Sequence, residues 1–236
     1  MAKGAKRGPD SSTSTLPPPS SNIVFPPIKL KTALECNPLL QDQILLLDNF
    51  LSPDECRRYI AFIDSLPLEL TPPKKKGEAD RVNHRISITS QQFAQDLYGV
   101  IAPHLPQFPY PSFDRRARGG TTRPVHCLNS NIRLYKYTTN QYFGPHYDDS
   151  VRDPRTGAKS EWTLLVYLSG VEDGVEGGET LFYKEEKGKP TQTIVPPLNR
   201  GTALLHRHGQ ECMLHEGSPV RKGTKYVLRS DLMFKD

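Results

Sequence analysis

His146-Tyr147-Asp148 is the part of the sequence best equipped for chemistry. On an extended strand, residues i and i+2 face the same side, so this imidazole and carboxylate can point into one cavity. Joined by a histidine from elsewhere, they form the two-histidine, one-carboxylate set that holds iron(II) and leaves positions open. H-x-D alone is more often the pattern of a surface histidine beside an acidic turn, so the third ligand decides. Three later histidines are available: His206, His208 and His215. His206 ends the run GTALLH and His208 follows it; each can also be read as a polar residue at a strand end. After His215 come a turn, with Gly217 and Pro219, and a further strand carrying Lys225. A histidine and a lysine on adjacent antiparallel strands can face one cavity. The ammonium can then bind the far carboxylate of a dicarboxylate whose near end chelates the metal. That arrangement favours His215.

These side chains need a scaffold. From about residue 129 onward short β-rich runs recur (NIRLYKY, WTLLVYLS, ETLFY, TALLH, KYVLRSDLMF), punctuated by Gly, Pro or Asn. Such a density of strands predicts an antiparallel sandwich or barrel. The preceding part is helical. Ser52 is a candidate N-cap, Pro53 takes the first helical position, and Glu55 completes a capping box. Leu51 and Cys56 form the staple, and Tyr59, Ile60, Phe62 and Ile63 give an apolar face. A second helix is expected near 91–104, with Phe93, Leu97, Val100 and Ile101 at helical spacing. Both helices are expected to cover one outer sheet face. Loops at 69–82 and 106–126 are candidates for a lid.

Composition narrows the function classes. The 236 residues are 36% hydrophobic and 24% charged, with 22 Pro, which is enough apolar material for a core. No run approaches the ~20 apolar residues of a membrane helix. The basic start lacks an apolar signal core, and the expectation is a cytoplasmic or nuclear protein. The four cysteines, Cys36, Cys56, Cys127 and Cys212, form no C-x-x-C pair and read as free thiols. Of the net charge of +5, residues 1–34 carry most, with Lys3, Lys6, Arg7, Lys29 and Lys31 against Asp10. The near-neutral remainder argues against a broad nucleic-acid surface. Residues 1–30, rich in Ser and Pro, read as a disordered basic tail, and 31–236 as a single domain.

The stretches RLYKYTTNQYFGPHYDDS, WTLLVYLSGVEDGVEGGETLFY, VPPLNRGTALLHR and LHEGSPVRKGTKYVLRSDLMF together resemble the Fe(II)- and 2-oxoglutarate-dependent dioxygenases of the prolyl 4-hydroxylase type. The resemblance implies an α+β fold with a double-stranded β-helix (jelly-roll) core and N-terminal helices packed on one sheet. It implies Fe(II) bound by His146, Asp148 and His215, with 2-oxoglutarate and O2 as cosubstrates and ascorbate as a further candidate ligand. By the same resemblance Lys225 and Tyr137 hold the distal carboxylate of 2-oxoglutarate and Thr163 lines its pocket; a packed strand aromatic and an inward core residue are the alternative readings of Tyr137 and Thr163. Gly177-Gly178-Glu179-Thr180 matches a family stretch and reads as a structural turn. Glu161-Trp162 and Asp231 depart from the pattern near the cosubstrate.

The implied reaction is decarboxylation of 2-oxoglutarate to succinate and CO2 coupled to hydroxylation of a C–H bond. Leu164, Val166, Leu204 and Leu228 are candidate cavity walls. Arg115, Arg116 and Arg118, beside Gly119-Gly120, are candidates for a basic substrate clamp; Arg133 and Arg229, in the strand runs NIRLYKY and KYVLRSD, are further substrate-binding candidates, each reaching either the cavity or a structural carboxylate. The substrate classes are a prolyl or other residue in a protein or peptide, a free amino acid or small metabolite, and a modified base in a nucleic acid. The last would want an arginine where Lys225 stands and a basic, aromatic groove, and is disfavoured. A non-enzymatic binding module is the remaining alternative.

Overall fold

A computed structural model describes residues 23–110, 121–186 and 188–235. Two antiparallel sheets face each other. The larger, of nine strands, runs Cys36–Leu40, Ile44–Leu47, Ala203–Arg207, Lys159–Tyr167, Lys225–Phe234, Asn131–Tyr137, His84–Thr89, Glu69–Leu70, with Cys127–Leu128 also against Lys225–Phe234. The smaller, of five, runs Gln192–Ile194, Thr180–Lys184, Leu214–Gly217, Tyr142–His146, Arg81–Val82. Neighbours in space are distant in sequence, as in a jelly roll.

The period of two sorts each long strand into two faces. Trp162, Leu164, Val166, Leu134, Leu205, Leu228 and Leu232 face outward into one apolar cluster with Tyr59 and Ile63 of helix α1 (Pro53–Asp64) and Phe93 and Leu97 of α2 (Gln91–Ile101). The alternate residues, among them Tyr135, Tyr137, Tyr167, Leu204 and Val227, face the small sheet. The helices therefore cover one outer face, as expected. Each fully buried Leu contributes about 1.5–3 kcal/mol relative to exposure.

Helix α1 starts as its sequence dictates. Ser52 Oγ accepts the Glu55 N–H at 3.3 Å, and Glu55 Oε2 accepts the Ser52 N–H at 2.9 Å. Leu51 and Cys56 are both buried in the same cluster. Glu55 also accepts from the Lys29 N–H at 2.9 Å and from Lys31 Nζ at 2.6 Å. Phe25 stacks on Phe93 with centroids 4.0 Å apart, and Pro26 O accepts the Tyr59 hydroxyl at 2.7 Å. Residues 23–30, expected to belong to the tail, instead pack on the helices through the Phe25 ring and backbone groups of Pro26 and Lys29. Residues 1–22 lie outside the described residues.

The two lid candidates differ. The 69–82 segment reaches the small sheet: Arg81 and Val82 pair with Phe143 and Tyr142, and the Gly144 N–H donates to Asp80 O at 2.7 Å. A Cβ on Gly144 would lie 3.0 Å from that oxygen, so glycine permits the approach. The base of 106–126 sits on the outer face instead, where Phe108 packs against Trp162 at 4.8 Å and Phe234 at 5.9 Å.

Candidate metal centre

The histidine of H-x-D and the last of the three later histidines meet as a cross-strand pair. His146 lies opposite His215 in the small sheet, with a register shift between Phe143 and His146. The rings are 4.2 Å apart. Each ring is held from behind: His146 Nδ1 donates to Gly144 O and His215 Nδ1 to Met213 O, both at 2.9 Å. A carbonyl only accepts, so these bonds place the proton on Nδ1 and the lone pair on Nε2, as a metal-binding imidazole requires. Phe143 stacks on His146 at 3.7 Å and Phe182 on His215 at 5.4 Å, which fixes the ring planes. Burial, helped by the His215 charge, lowers His146 to about 4, so the pair is neutral and free to bind a cation.

Asp148 sits between them, 3.7 Å from each Nε2. Ligand atoms of His146, Asp148 and His215 all lie within 4.8 Å of one another. Burial alone would raise this carboxyl, but Arg229, ahead of the histidines, holds it well below the usual range. Arg229 grips both carboxylate oxygens, Nη1 to Oδ1 at 3.1 Å and Nη2 to Oδ2 at 3.0 Å. Thr163 Oγ1 donates to Oδ2 at 3.0 Å.

A chain of hydrogen bonds continues behind Thr163. His208 Nδ1 lies 2.9 Å from Thr163 Oγ1, and His208 Nε2 lies 2.9 Å from Ser160 Oγ, which accepts the Val151 N–H at 2.9 Å. Since Thr163 gives its proton to Asp148, His208 donates from Nδ1 and Ser160 donates to Nε2. His208 thus buttresses the carboxylate from a distance, and of the three later histidines it stands furthest from a ligand role.

Lys225 and Tyr137 are cross-strand partners in the large sheet and line the same cavity as the three ligands. The ammonium donates to Gly178 O at 2.6 Å and stands 5.5 and 5.4 Å from the Tyr137 and Tyr167 ring centroids. Gly178 adopts φ +75°, and a Cβ there would lie 3.3 Å from Lys225 Cδ. The stretch expected to be a merely structural turn therefore seats the lysine, and Thr180, hydrogen-bonded to Tyr167 at 2.8 Å, lines the cavity. Burial lowers Lys225 to about 8, partly offset by Glu179.

Other expectations need correction. Thr163 does not line the cavity; it is spent on Asp148 and His208. Arg133 pairs with Asp231, which also takes the Arg229 Nε at 3.4 Å, so neither arginine is free for substrate. Arg229 does reach the cavity, where it acts on Asp148. Asp231 serves the two facing arginines, Arg133 and Arg229, which stand directly opposite each other in register. Of the candidate walls only Leu204 faces inward. Leu164, Val166 and Leu228 face the helices, because a strand that turns Thr163 inward must turn Leu164 outward. Leu165, Val227 and Tyr135 line the cavity in their place. Trp162 belongs to the outer cluster, and Glu161 pairs with Lys159 at 2.5 Å, away from the cavity. Arg115, Arg116 and Arg118 lie outside the described residues.

Residues 132–230 match the family described as the 2OG-Fe(II) oxygenase superfamily. No curated protein matches the chain. Among solved structures, a viral collagen prolyl hydroxylase from Paramecium Bursaria Chlorella virus-1, in a 2OG complex, aligns with TM-score 0.50 and 18% identity, covering 82% of this chain and 97% of that one. A prolyl hydroxylase from Trichoplax adhaerens, in complex with a hypoxia inducible factor oxygen degradation domain peptide fragment, aligns with TM-score 0.53 and 13% identity over 81% and 84%. OsALKBH1 aligns with TM-score 0.51 and 12% identity over 82% and 99%. The chain has the fold of the solved prolyl hydroxylases, and residues 132–230 within it carry the 2OG-Fe(II) oxygenase match. A fold shared with OsALKBH1 leaves the substrate open.

Proposed function

We propose that the protein hydroxylates a C–H bond of a prolyl or other residue in a protein or peptide, with His146, Asp148 and His215 holding Fe(II). The donor set fits that ion: two neutral imidazoles with Nε2 lone pairs and one ionised carboxylate. Bound there, iron supplies the coupling of 2-oxoglutarate decarboxylation to C–H hydroxylation by O2. The residues of the chain bind, orient and exclude water.

The observation that carries the reading is a charge imbalance. Asp148 and Asp231 are matched by Arg229 and Arg133, whereas the Lys225 ammonium, 5% exposed, has among the described residues only a carbonyl oxygen as hydrogen-bond partner. A buried cation without a counter-charge is costly, and a dicarboxylate reaching back from the metal supplies one. Tyr137 forms one side of that seat, and Leu165, Val227 and Tyr135 keep it dry.

A peptide substrate is supported by the prolyl hydroxylases among the structural neighbours, one with a peptide bound. It is also supported by the rim, where Arg81 lies 5.1 Å over the Phe143 ring and Glu216 accepts from the Tyr183 hydroxyl at 2.5 Å. These mixed charges beside aromatics differ from the basic groove a nucleic acid needs. The test is succinate release from 2-oxoglutarate, with Fe(II) kept reduced by ascorbate, over proline-containing peptides, free amino acids and methylated oligonucleotides. Stimulation by peptides is expected. Stimulation by oligonucleotides or free amino acids alone would replace this substrate class.

A further inference from the structure

Arg133 and Arg229 are taken by Asp231 and Asp148, but two other arginines stand at the rim of the same cavity without a counter-charge. Arg81 and Arg85 flank the buried Asn83, where the chain crosses from the small sheet to the large one. Arg81 lies opposite Phe143 in register, with Cζ 5.1 Å over that ring, and the ring stacks on His146 at 3.7 Å. Arg85 lies opposite Tyr135. Ile86 and Ile88 pack with the helices, so alternation turns Arg85 to the inner face. Phe143 and Tyr135 both line the metal cavity, so the two arginines border it from opposite sheets. Both are half-buried. Among the described residues neither makes an ion pair or a side-chain hydrogen bond, not even Arg85 with Glu69, its other partner in register. Burial, and next the charge of Arg85, lowers Arg81 below its ordinary value, so the two cations feel each other.

Like charges held together in a half-buried site disfavour one another, and a carboxylate between them removes the repulsion. The planar guanidinium fork grips both oxygens of such a group, and the Phe143 ring holds Arg81 in place for it. We propose that Arg81 and Arg85 form an anion subsite that selects peptides carrying an acidic residue, Asp or Glu, close to the residue presented to the metal. This rests on the peptide reading above and narrows it. One aromatic ring separates Arg81 from His146, a span that an extended peptide crosses in about two to four residues at roughly 3.3 Å each. A single carboxylate fits this rim better than a nucleic-acid backbone does. A run of phosphates would also meet Glu69 opposite Arg85, Glu216 at the cavity and Asp80 beside Arg81, and like charges there repel it.

The test uses the full chain with Fe(II), 2-oxoglutarate and ascorbate, offered a library of peptides with a fixed central proline and randomised flanks. Products hydroxylated at any residue are sequenced by mass spectrometry. Asp and Glu are expected to be enriched about three- to tenfold over Asn and Gln at one position near the hydroxylated residue. Arg81→Gln and Arg85→Gln should each reduce that enrichment, with circular dichroism and melting confirming that both are folded. Enrichment is a ratio within one protein's own products, so a merely structural role would lower all products alike and leave it unchanged. Hydroxylated peptides with no acidic preference in the wild type, or a preference that survives in both variants, would overturn the subsite and leave the peptide reading standing. A library left unhydroxylated would overturn both, and succinate release with methylated oligonucleotides in its place would assign the two arginines to phosphate.

Discussion

The two faces of the large sheet are built from the same strands by alternate residues, yet they obey different physics. On the outer face Trp162, Leu164, Leu228 and Leu232 meet the helices and hold the fold by apolar burial. On the inner face Lys225, Arg229 and Asp231, also buried, hold charge. The outer face tolerates loss in proportion to volume removed. Around Asp148 and Asp231 the inner face is all or none, because these carboxylates are buried only by virtue of Arg229 and Arg133. One strand, Lys225–Phe234, carries both, so the site is positioned by the same backbone ladder that the core stabilises.

The sharpest way to break this contrast is Arg229→Met against Leu164→Ala. Removing the guanidinium leaves Asp148 buried without its counter-charge, and a loss of about 3–5 kcal/mol in metal-free stability is expected. Leu164→Ala is expected to cost about 2–5 kcal/mol by leaving a cavity. The two are separated by metal. In Arg229→Met a divalent cation takes over neutralisation of Asp148, so adding Mn(II) should raise the melting temperature more than in wild type. In Leu164→Ala the rise should match wild type. Equal Mn(II) shifts in the two variants would show that the inner ions are not coupled as the distances imply.

What the sequence revealed follows the range of each interaction. The capping box of Ser52, Pro53 and Glu55 was legible because it is complete within four residues. The alternation that turns Lys225 inward also turns Val227, Arg229 and Asp231 inward, a consequence readable from the strand itself. The target of Arg229 was not readable, since Asp148 lies 81 positions away and only the sheet register unites them. The same holds for Thr163 and His206, which are partners on adjacent strands; in sequence one reads as a cosubstrate contact and the other as a strand-end residue. Leu164 cannot share a face with Thr163, since strand residues alternate, so its outward position is legible in the sequence itself. Phe25 was hidden by its Ser- and Pro-rich surroundings, for composition averages out a single anchoring ring.

Lys225 sharpens the inner half of the comparison by pH. Burial holds it at about 8, below its ordinary 10.5. Above that point the ammonium loses its proton, so 2-oxoglutarate binding to the Mn(II)-loaded enzyme should weaken by up to about tenfold per pH unit. The stability of the ligand-free protein runs the other way. Between about 8 and 10.5 the unfolded chain binds more protons than the folded one, so the penalty of burying the charge is relieved and stability rises with pH. Calorimetric titration of wild type and Lys225→Arg from pH 7 to 9.5 checks this. A wild-type affinity that stays flat across that range would remove Lys225 from the carboxylate seat.

The smallest effect belongs to the outer half, at Glu55. Burial alone would raise this carboxyl, but hydrogen bonds from Lys31, the Lys29 N–H and Ser52 outweigh it and hold it at about 2, against an ordinary 4.5. A depressed acid contributes stability that is present above 4.5 and lost as pH falls through 2. Glu55→Gln should therefore cost about 1–2 kcal/mol at neutral pH and flatten the acid limb of the stability curve in urea unfolding. Metal and 2-oxoglutarate binding should be untouched, because the cap ties residues 29–31 to α1 on the outer side of the sheet. A Glu55→Gln protein that folds normally but binds metal less tightly would mean that the two faces communicate through the strands they share, and the division between them would have to be redrawn.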